Sequence, residues 1–129
     1  MHSSADFRKA VQLKVERHVV ISGVTGPMAA TLNGTYSWSS QRHHDHASFK
    51  KVGETQIRLM YAKNDRWVVS DTDSKKCLCA CLKPNISHPT YATQWLVSKL
   101  NNPSSQTQIR WEEQELLITS SQSILQYLG

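Results

Sequence analysis

The chain has 129 residues, a length that suits one globular domain. Its residues are 39% hydrophobic and 8% aromatic, which argues against a disordered chain. The formal net charge is +5 at pH 7, which raises the question of an anionic partner. No apolar run approaches the roughly 18 residues of a membrane-spanning helix, so we expect no membrane segment.

The predicted elements begin with a strand at residues 11–20, where apolar and polar residues alternate over most of the length. We expect residues 1–10 to form a flexible N-terminus. Residues 28–32 read as a short apolar linker or a single helical turn. Asn33-Gly34 then predicts a tight turn, because both residue types tolerate positive φ.

The middle of the chain predicts short strands separated by polar turns. Residues 35–38 are a strand, residues 39–46 a polar loop, and residues 49–52 another short strand. Residues 55–62 and 66–70 predict a β-hairpin, because alternation is clear on both sides of a polar turn. The expected core includes the following residues: Ile57, Leu59, Tyr61, Trp67, Val69 and Trp95.

The last third continues in the same manner. Residues 77–82 are apolar on both faces and predict a central strand, and residues 94–98 predict another. Residues 109–111 and 116–119 are expected to pair through an acidic turn, and residues 120–129 form a tail or a short helix. The whole predicts a single antiparallel β-sandwich or barrel-like meander at residues 11–119, an all-β fold.

Several short motifs resemble a known pattern. They run from Asn33-Gly34-x-Tyr36 through Phe49-Lys50 and Leu59-x-Tyr61 to Trp67-x-Val69 and Trp95-x-Val97. This order is similar to that of a small β-rich module found, often repeated, in large multidomain proteins of protists and algae. The resemblance covers roughly residues 20–119 and implies an accessory domain, with no defined activity. The family's usual Tyr before Lys is Phe49 here.

Cys77, Cys79 and Cys81 are the only cysteines, and three so close together do not form a disulfide framework. Free thiols fit a reducing compartment, and the first residues lack the apolar core of a secretory signal, so we expect a cytoplasmic protein. In a strand these sulfurs would lie about 7 Å apart, too far for one zinc ion. We therefore expect them to pack in the core.

The segment Arg42-His43-His44-Asp45-His46 contains good metal-ligand residue types. Neighbours in sequence point apart, however, so we expect a polar loop, no metal and no cofactor. The sequence also lacks a nucleophile elbow and a phosphate-binding glycine loop, which favours a non-enzymatic protein.

We hypothesise instead a binding surface around Trp38, because an aromatic residue flanked by serines and followed by charge is typical of an interface anchor. Imidazoles gain charge near pH 6.5, so binding to an acidic partner should strengthen as the pH falls. The hypothesised binding residues are Trp38, Arg42, His43, His44, His46, Arg58 and Lys63.

Two functions follow. The first is a protein-interaction or scaffold module that binds another, acidic protein, with residues 11–20 as a candidate edge strand for strand addition. The alternative is a nucleic-acid (RNA) binding domain, because residues 1–70 carry ten Lys/Arg against five acids, whereas residues 71–129 carry five of each. The sequence does not indicate an oligomeric state.

Overall fold

A computed structural model describes residues 18–99 and 111–121 of the chain. The predicted flexible N-terminus at residues 1–10 lies outside the described residues. So do the first seven residues of the strand predicted at 11–20. Of the tail or short helix expected at residues 120–129, Ser120 and Ser121 are instead the end of a strand, because they pair with Val19 and His18, and the remainder lies outside the described residues.

In the part of the chain that the structure describes, nine strands form one sheet in which each pairing is antiparallel. The strands are β1 His18–Ser22, β2 Gly34–His43, β3 His46–Lys51, β4 Glu54–Tyr61, β5 Trp67–Asp71, β6 Lys76–Cys81, β7 Gln94–Ser98, β8 Trp111–Glu115 and β9 Leu117–Ser121. Their order in the sheet is β8-β7-β6-β5-β4-β3-β2-β1-β9. The all-β prediction is confirmed, in its barrel-like form.

The sheet nearly closes into a barrel because β8 and β9 are separated by a single residue, Leu116. Strand β8 pairs with β7, whereas β9 pairs with β1 at the other end of the strand order. At the junction, the Leu116 amide donates to the Thr93 carbonyl over 2.8 Å. One nearly continuous stretch of chain therefore joins the first strand of the meander to the last.

This closure corrects two predictions. Residues 112–114 do not turn between two paired strands; they belong to β8, because polar side chains are tolerated where a strand faces solvent. The described part of the predicted edge strand, β1, is not an edge, since β2 flanks it on one side and β9 on the other.

The barrel interior is filled by apolar side chains that alternate along the strands. On β4, Ile57, Leu59 and Tyr61 are buried while the residues between them are half-buried, as alternation predicts. Each of the six expected core residues is buried, which confirms that prediction. The expected hairpin of β4 and β5 is also confirmed.

A single helical turn, α1 Ala29–Leu32, follows β1 and contributes Leu32 to the interior. The Tyr36 hydroxyl donates to the Leu32 carbonyl over 2.7 Å and fixes this turn against β2. Asn33 does not adopt the expected positive φ; its φ is −70°, and Gly34 alone has positive φ. Asn33 instead bonds the Val24 amide and carbonyl through its side chain.

The polar segment at residues 39–46 is not a loop, as was predicted. It is the end of β2 and the start of β3, joined by His44 and Asp45, whose φ angles are 51° and 66°. Two successive positive φ angles are typical of the type I′ turn, whose twist suits a hairpin. Local polarity indicated a loop, whereas pairing with β3 makes the segment a strand.

Candidate functional site

The outer surface of β3 and β4 carries two cations that lie directly opposite each other. The register pairs Lys50 with Arg58, and it also pairs Ser37 with Lys50 and Arg58 with Ser70. Arg58 alternates with the buried residues of β4, so its side chain points away from the interior. Like charges at directly opposed positions disfavour the sheet, which makes this pair worth explaining.

A β-bulge next to this pair helps to position Arg58. The register of β2 against β3 shifts between Ser39 and Arg42, which leaves Gln41 outside the regular pairing. The Ser48 hydroxyl donates to the Gln41 carbonyl over 2.6 Å, and the Gln41 side-chain oxygen accepts from Arg58 Nη1 over 2.8 Å. The bulge therefore holds the guanidinium beside the end of the hairpin.

The hairpin end adds further basic residues. Arg42 and His44 are exposed, His43 is half-buried, and the Arg42 guanidinium donates to the Asp45 carbonyl across the turn. Lys63 is exposed in the turn that follows β4. We call the following set the basic hairpin surface: Arg42, His43, His44, Lys50, Arg58 and Lys63.

Within residues 18–99 and 111–121, no carboxylate forms an ion pair with a cation of this surface. The ion pair that the structure does show joins Lys51 to Glu54 over 3.0 Å. Lys51 is 7% exposed, and its ammonium also donates to the carbonyls of Ala30 and Thr31 at the end of α1. Lys51 therefore serves packing, whereas Lys50 and Arg58 form no ion pair with a carboxylate of the described residues.

His46, one of the hypothesised binding residues, packs against the end of the barrel. Its ring stacks on Tyr61 with centroids 3.8 Å apart and meets Trp67 edge-on at 5.6 Å. This contact brings the β2–β3 hairpin next to the turn that carries Lys63. His46 thus joins the two parts of the surface rather than standing at its centre.

Trp38, the hypothesised anchor, is half-buried and packs against the interior cluster. It lies opposite Phe49, which is 2% exposed. Its serine neighbours indicated an exposed ring, whereas the alternation that buries Tyr36 turns Trp38 toward the same side. Part of Trp38 therefore supports the fold, and the exposed members of the site are Arg42, His44 and Lys63.

Lys50 and Gln41 are the members of this site that sequence reasoning did not assign to it. Lys50 stands at an outward position of β3, but its meeting with Arg58 depends on the register between strands. The contact of Gln41 with Arg58 depends on the β-bulge in β2. Gly53, which has a φ of 89° in the turn between β3 and β4, is the sequence signal that the chain returns beside Lys50.

The cysteines were expected to pack in the core, and two of them do. Cys79 is 0% exposed and Cys81 2% exposed, and burial raises the pKa of both thiols. Cys77 is exposed, which corrects the prediction. The pairing passes from Val69–Cys79 to Ser70–Cys77, so the extra residue Leu78 reverses the alternation.

In the part of the chain that the structure describes, no group of three His, Cys, Asp or Glu side chains is placed to hold a metal ion. His88 is half-buried in the segment that precedes β7. Burial lowers the pKa of His88, whose Nδ1 accepts from the Thr90 amide over 3.3 Å and whose ring meets Phe49 edge-on.

No protein-family model, curated protein or solved structure matches this chain. Among the described residues, no helix has the length and apolar character needed to cross a membrane.

Proposed function

We propose that this chain is a non-catalytic protein-interaction module whose basic hairpin surface binds an acidic segment of another protein. The observation that carries the proposal is the Lys50–Arg58 pair: two cations directly opposite each other, with no carboxylate partner in the described residues. Such a pair disfavours the folded sheet, and a bound carboxylate on a partner would relieve the repulsion.

The architecture supports a surface function. The interior of the barrel is occupied by a continuous apolar cluster, so recognition falls to side chains on the outside. The order of motifs resembles that of an accessory module, which fits a domain that tethers or positions others. Three free cysteines support placing this role in a reducing compartment such as the cytoplasm.

A nucleic acid is the alternative partner, since the same cations would also attract phosphate. Proteins that bind single strands usually stack bases on exposed aromatic rings beside the cations. Among the described residues, Trp67 and Trp95 are buried, Trp38 is half-buried, and the exposed aromatic side chains, Tyr91 and Trp111, lie on other elements. This arrangement favours a protein partner.

Charge reversal tests the proposal. We expect Lys50→Glu/Arg58→Glu to abolish binding to a labelled peptide of alternating Asp, Glu and aromatic residues. The control, Lys75→Glu/Lys99→Glu, changes the net charge equally at two exposed lysines that lie outside this surface and should retain binding. Equal loss in both variants would show a general charge effect and refute the assignment.

The histidines at the end of the hairpin give a second readout of the same surface. His43→Ala/His44→Ala should weaken binding to the acidic peptide, because both residues lie beside Arg42 at the junction of β2 and β3. Unchanged affinity in this variant would exclude these two histidines from the surface.

A further inference from the structure

The connection between β6 and β7, residues 82–93, lies across one end of the barrel. Alternate connections of an antiparallel meander share an end, so this segment lies at the same end as the β2–β3 and β4–β5 turns. Ile86 packs against the apolar interior, Ala92 belongs to it, and Pro89 is buried. We call residues 82–93 the lid.

Both ends of the lid are fixed to the barrel. At its start, the Arg66 guanidinium donates to the carbonyls of Cys81 and Leu82. At its end, the Trp95 indole donates to the Ala92 carbonyl over 3.0 Å. Neither a guanidinium nor an indole changes its protonation in mild acid, so these contacts hold the ends of the lid at any pH in that range.

The first half of the lid has two further contacts of the same kind. The Trp67 indole donates to the Ile86 carbonyl over 2.7 Å, and the Asn85 amide donates to the Asp65 carbonyl over 2.8 Å. The histidine of the lid, His88, lies in the other half. A response of the lid to acid should therefore be confined to that half.

His88 joins the 3-10 turn at Pro89–Tyr91 to the barrel. Its Nδ1 accepts from the Thr90 amide over 3.3 Å and lies 2.8 Å from the Thr90 hydroxyl. Its ring meets Phe49 of β3 edge-on at 6.3 Å, and meets Tyr91 at 6.4 Å. The 3-10 turn is thus held by a ring whose Nδ1 must be free of a proton to accept the amide.

A proton on Nδ1 is incompatible with this arrangement. The protonated ring donates from both nitrogens, so Nδ1 can no longer accept from the Thr90 amide. Burial also disfavours the charged ring and lowers the pKa of His88. The titratable side chain that meets the ring is Tyr91, whose phenol is uncharged in acid. Strand β9, which packs against the 3-10 turn, has no titratable side chain.

We propose that the half of the lid around Pro89–Tyr91 opens in mild acid while the barrel stays folded. The closed lid favours neutral His88, whereas the open lid exposes the ring to water, where a histidine takes up a proton near pH 6.5. Below that value, each unit of pH raises the ratio of open to closed lid by up to about tenfold, until the closed form is protonated as well. Opening uncovers the apolar interior at Phe49.

The lid contains none of the residues of the basic hairpin surface. Its opening is therefore measured without the acidic peptide, and the result does not depend on whether that surface binds one.

Amide hydrogen exchange of the full chain, followed by NMR from about pH 7.5 to about pH 5, tests the lid. We expect the amides of Thr90, Tyr91 and Ala92 to be less protected than those of β4 at every pH, because the lid opens without the barrel. Their protection, corrected for the intrinsic effect of pH on exchange, should fall by at least about threefold over this interval. Equal protection of the lid and of β4 at every pH would overturn the proposal.

His88→Asn separates the proton on His88 from other effects of acid. The side-chain oxygen of Asn can still accept from the Thr90 amide but takes up no proton, so the acid response of the lid should disappear. His44→Asn, at an exposed position outside the lid, is the matched control and should keep the wild-type response. An acid response that persists in His88→Asn would refute the proposal.

Titration of the His88 ring in the wild type, also by NMR, keeps the test decisive if His88→Asn does not fold. We expect a midpoint below about 6.5, because the closed lid excludes the proton. A midpoint at or above that value would mean that the closed lid tolerates the charged ring, and would overturn the proposal.

Discussion

Lys50 on β3 lies directly opposite Arg58 on β4, and the Arg58 guanidinium is held by Gln41 over 2.8 Å. A sheet that needed only stability would place opposite charges, or a polar and an aromatic residue, at such a pair. Proteins commonly retain unfavourable local arrangements where a binding site requires them. The pair therefore links the fold to the proposed function.

This relationship predicts opposite effects of one substitution on stability and on binding. Lys50→Thr should raise the free energy of unfolding by roughly 0.2–1 kcal/mol, because it removes the repulsion and places a β-branched residue in a strand. The same variant should bind the acidic peptide more weakly. Urea denaturation and fluorescence anisotropy measure the two effects, and a destabilised variant with normal affinity would refute the interpretation.

Substitution of the neighbouring residues Lys50 and Lys51 should change the free energy of unfolding to different extents, because Lys51 is buried whereas Lys50 is half-buried. Lys51→Met leaves the carbonyls of Ala30 and Thr31 without their ammonium donor and Glu54 without its cation. We expect a loss of roughly 1–3 kcal/mol in the free energy of unfolding. Lys50→Met, one residue away, is the control and should cost nothing. Equal losses would mean that the ammonium of Lys51 makes no specific contribution.

Alanine substitution of Trp95 and of Trp38 tests how far the apolar core extends. Trp95 is 0% exposed and its indole donates to the Ala92 carbonyl over 3.0 Å, so Trp95→Ala should cost roughly 3–5 kcal/mol. Trp38 is half-buried, so Trp38→Ala should cost less and leave a folded barrel by circular dichroism. If Trp38→Ala is the more damaging of the two, Trp38 belongs to the core and not to a surface.

We expect the burial of His88 to make the folded protein less stable in mild acid. Burial lowers its pKa in the folded protein, so in mild acid the unfolded chain binds a proton that the folded protein excludes. The stability that neutral, buried His88 contributes is therefore complete above the ordinary histidine pKa of about 6.5. It is lost progressively as the pH falls below that value.

The measurement is urea denaturation at several pH values in the wild type and in His88→Asn, whose side-chain oxygen can still accept from the Thr90 amide. The slope of stability against pH should become shallower in the variant. His44→Asn, at an exposed position that already has positive φ, is the matched control. The same change of slope in both variants would show that burial of His88 is not the cause.

Much of the architecture could be predicted because it is encoded locally. The alternation of Ile57, Leu59 and Tyr61 predicted both the strand and its buried face, and the polar turn after it predicted the hairpin. These features depend on residues close in sequence, so one chain is enough to infer them.

What could not be predicted depends on pairing between distant residues. The exposure of Cys77 follows from a bulge against β5, and the role of Gln41 follows from a bulge against β3. The acidic residues of β8 suggested a turn because the sequence does not show that β7 lies beside them. Register is set by the whole sheet, and a bulge of one residue exchanges the two faces of a strand.

The central claim is that the basic hairpin surface recognises acidic protein segments rather than nucleic acid. Selection from a random peptide library against the wild-type chain, followed by affinity measurement at physiological salt, tests it most directly. If this surface recognises acidic segments, the enriched peptides will be rich in Asp and Glu. They will lose affinity for Lys50→Glu/Arg58→Glu and retain it for Lys75→Glu/Lys99→Glu. Submicromolar binding to generic RNA at the same salt, with no acidic peptides enriched, would contradict it.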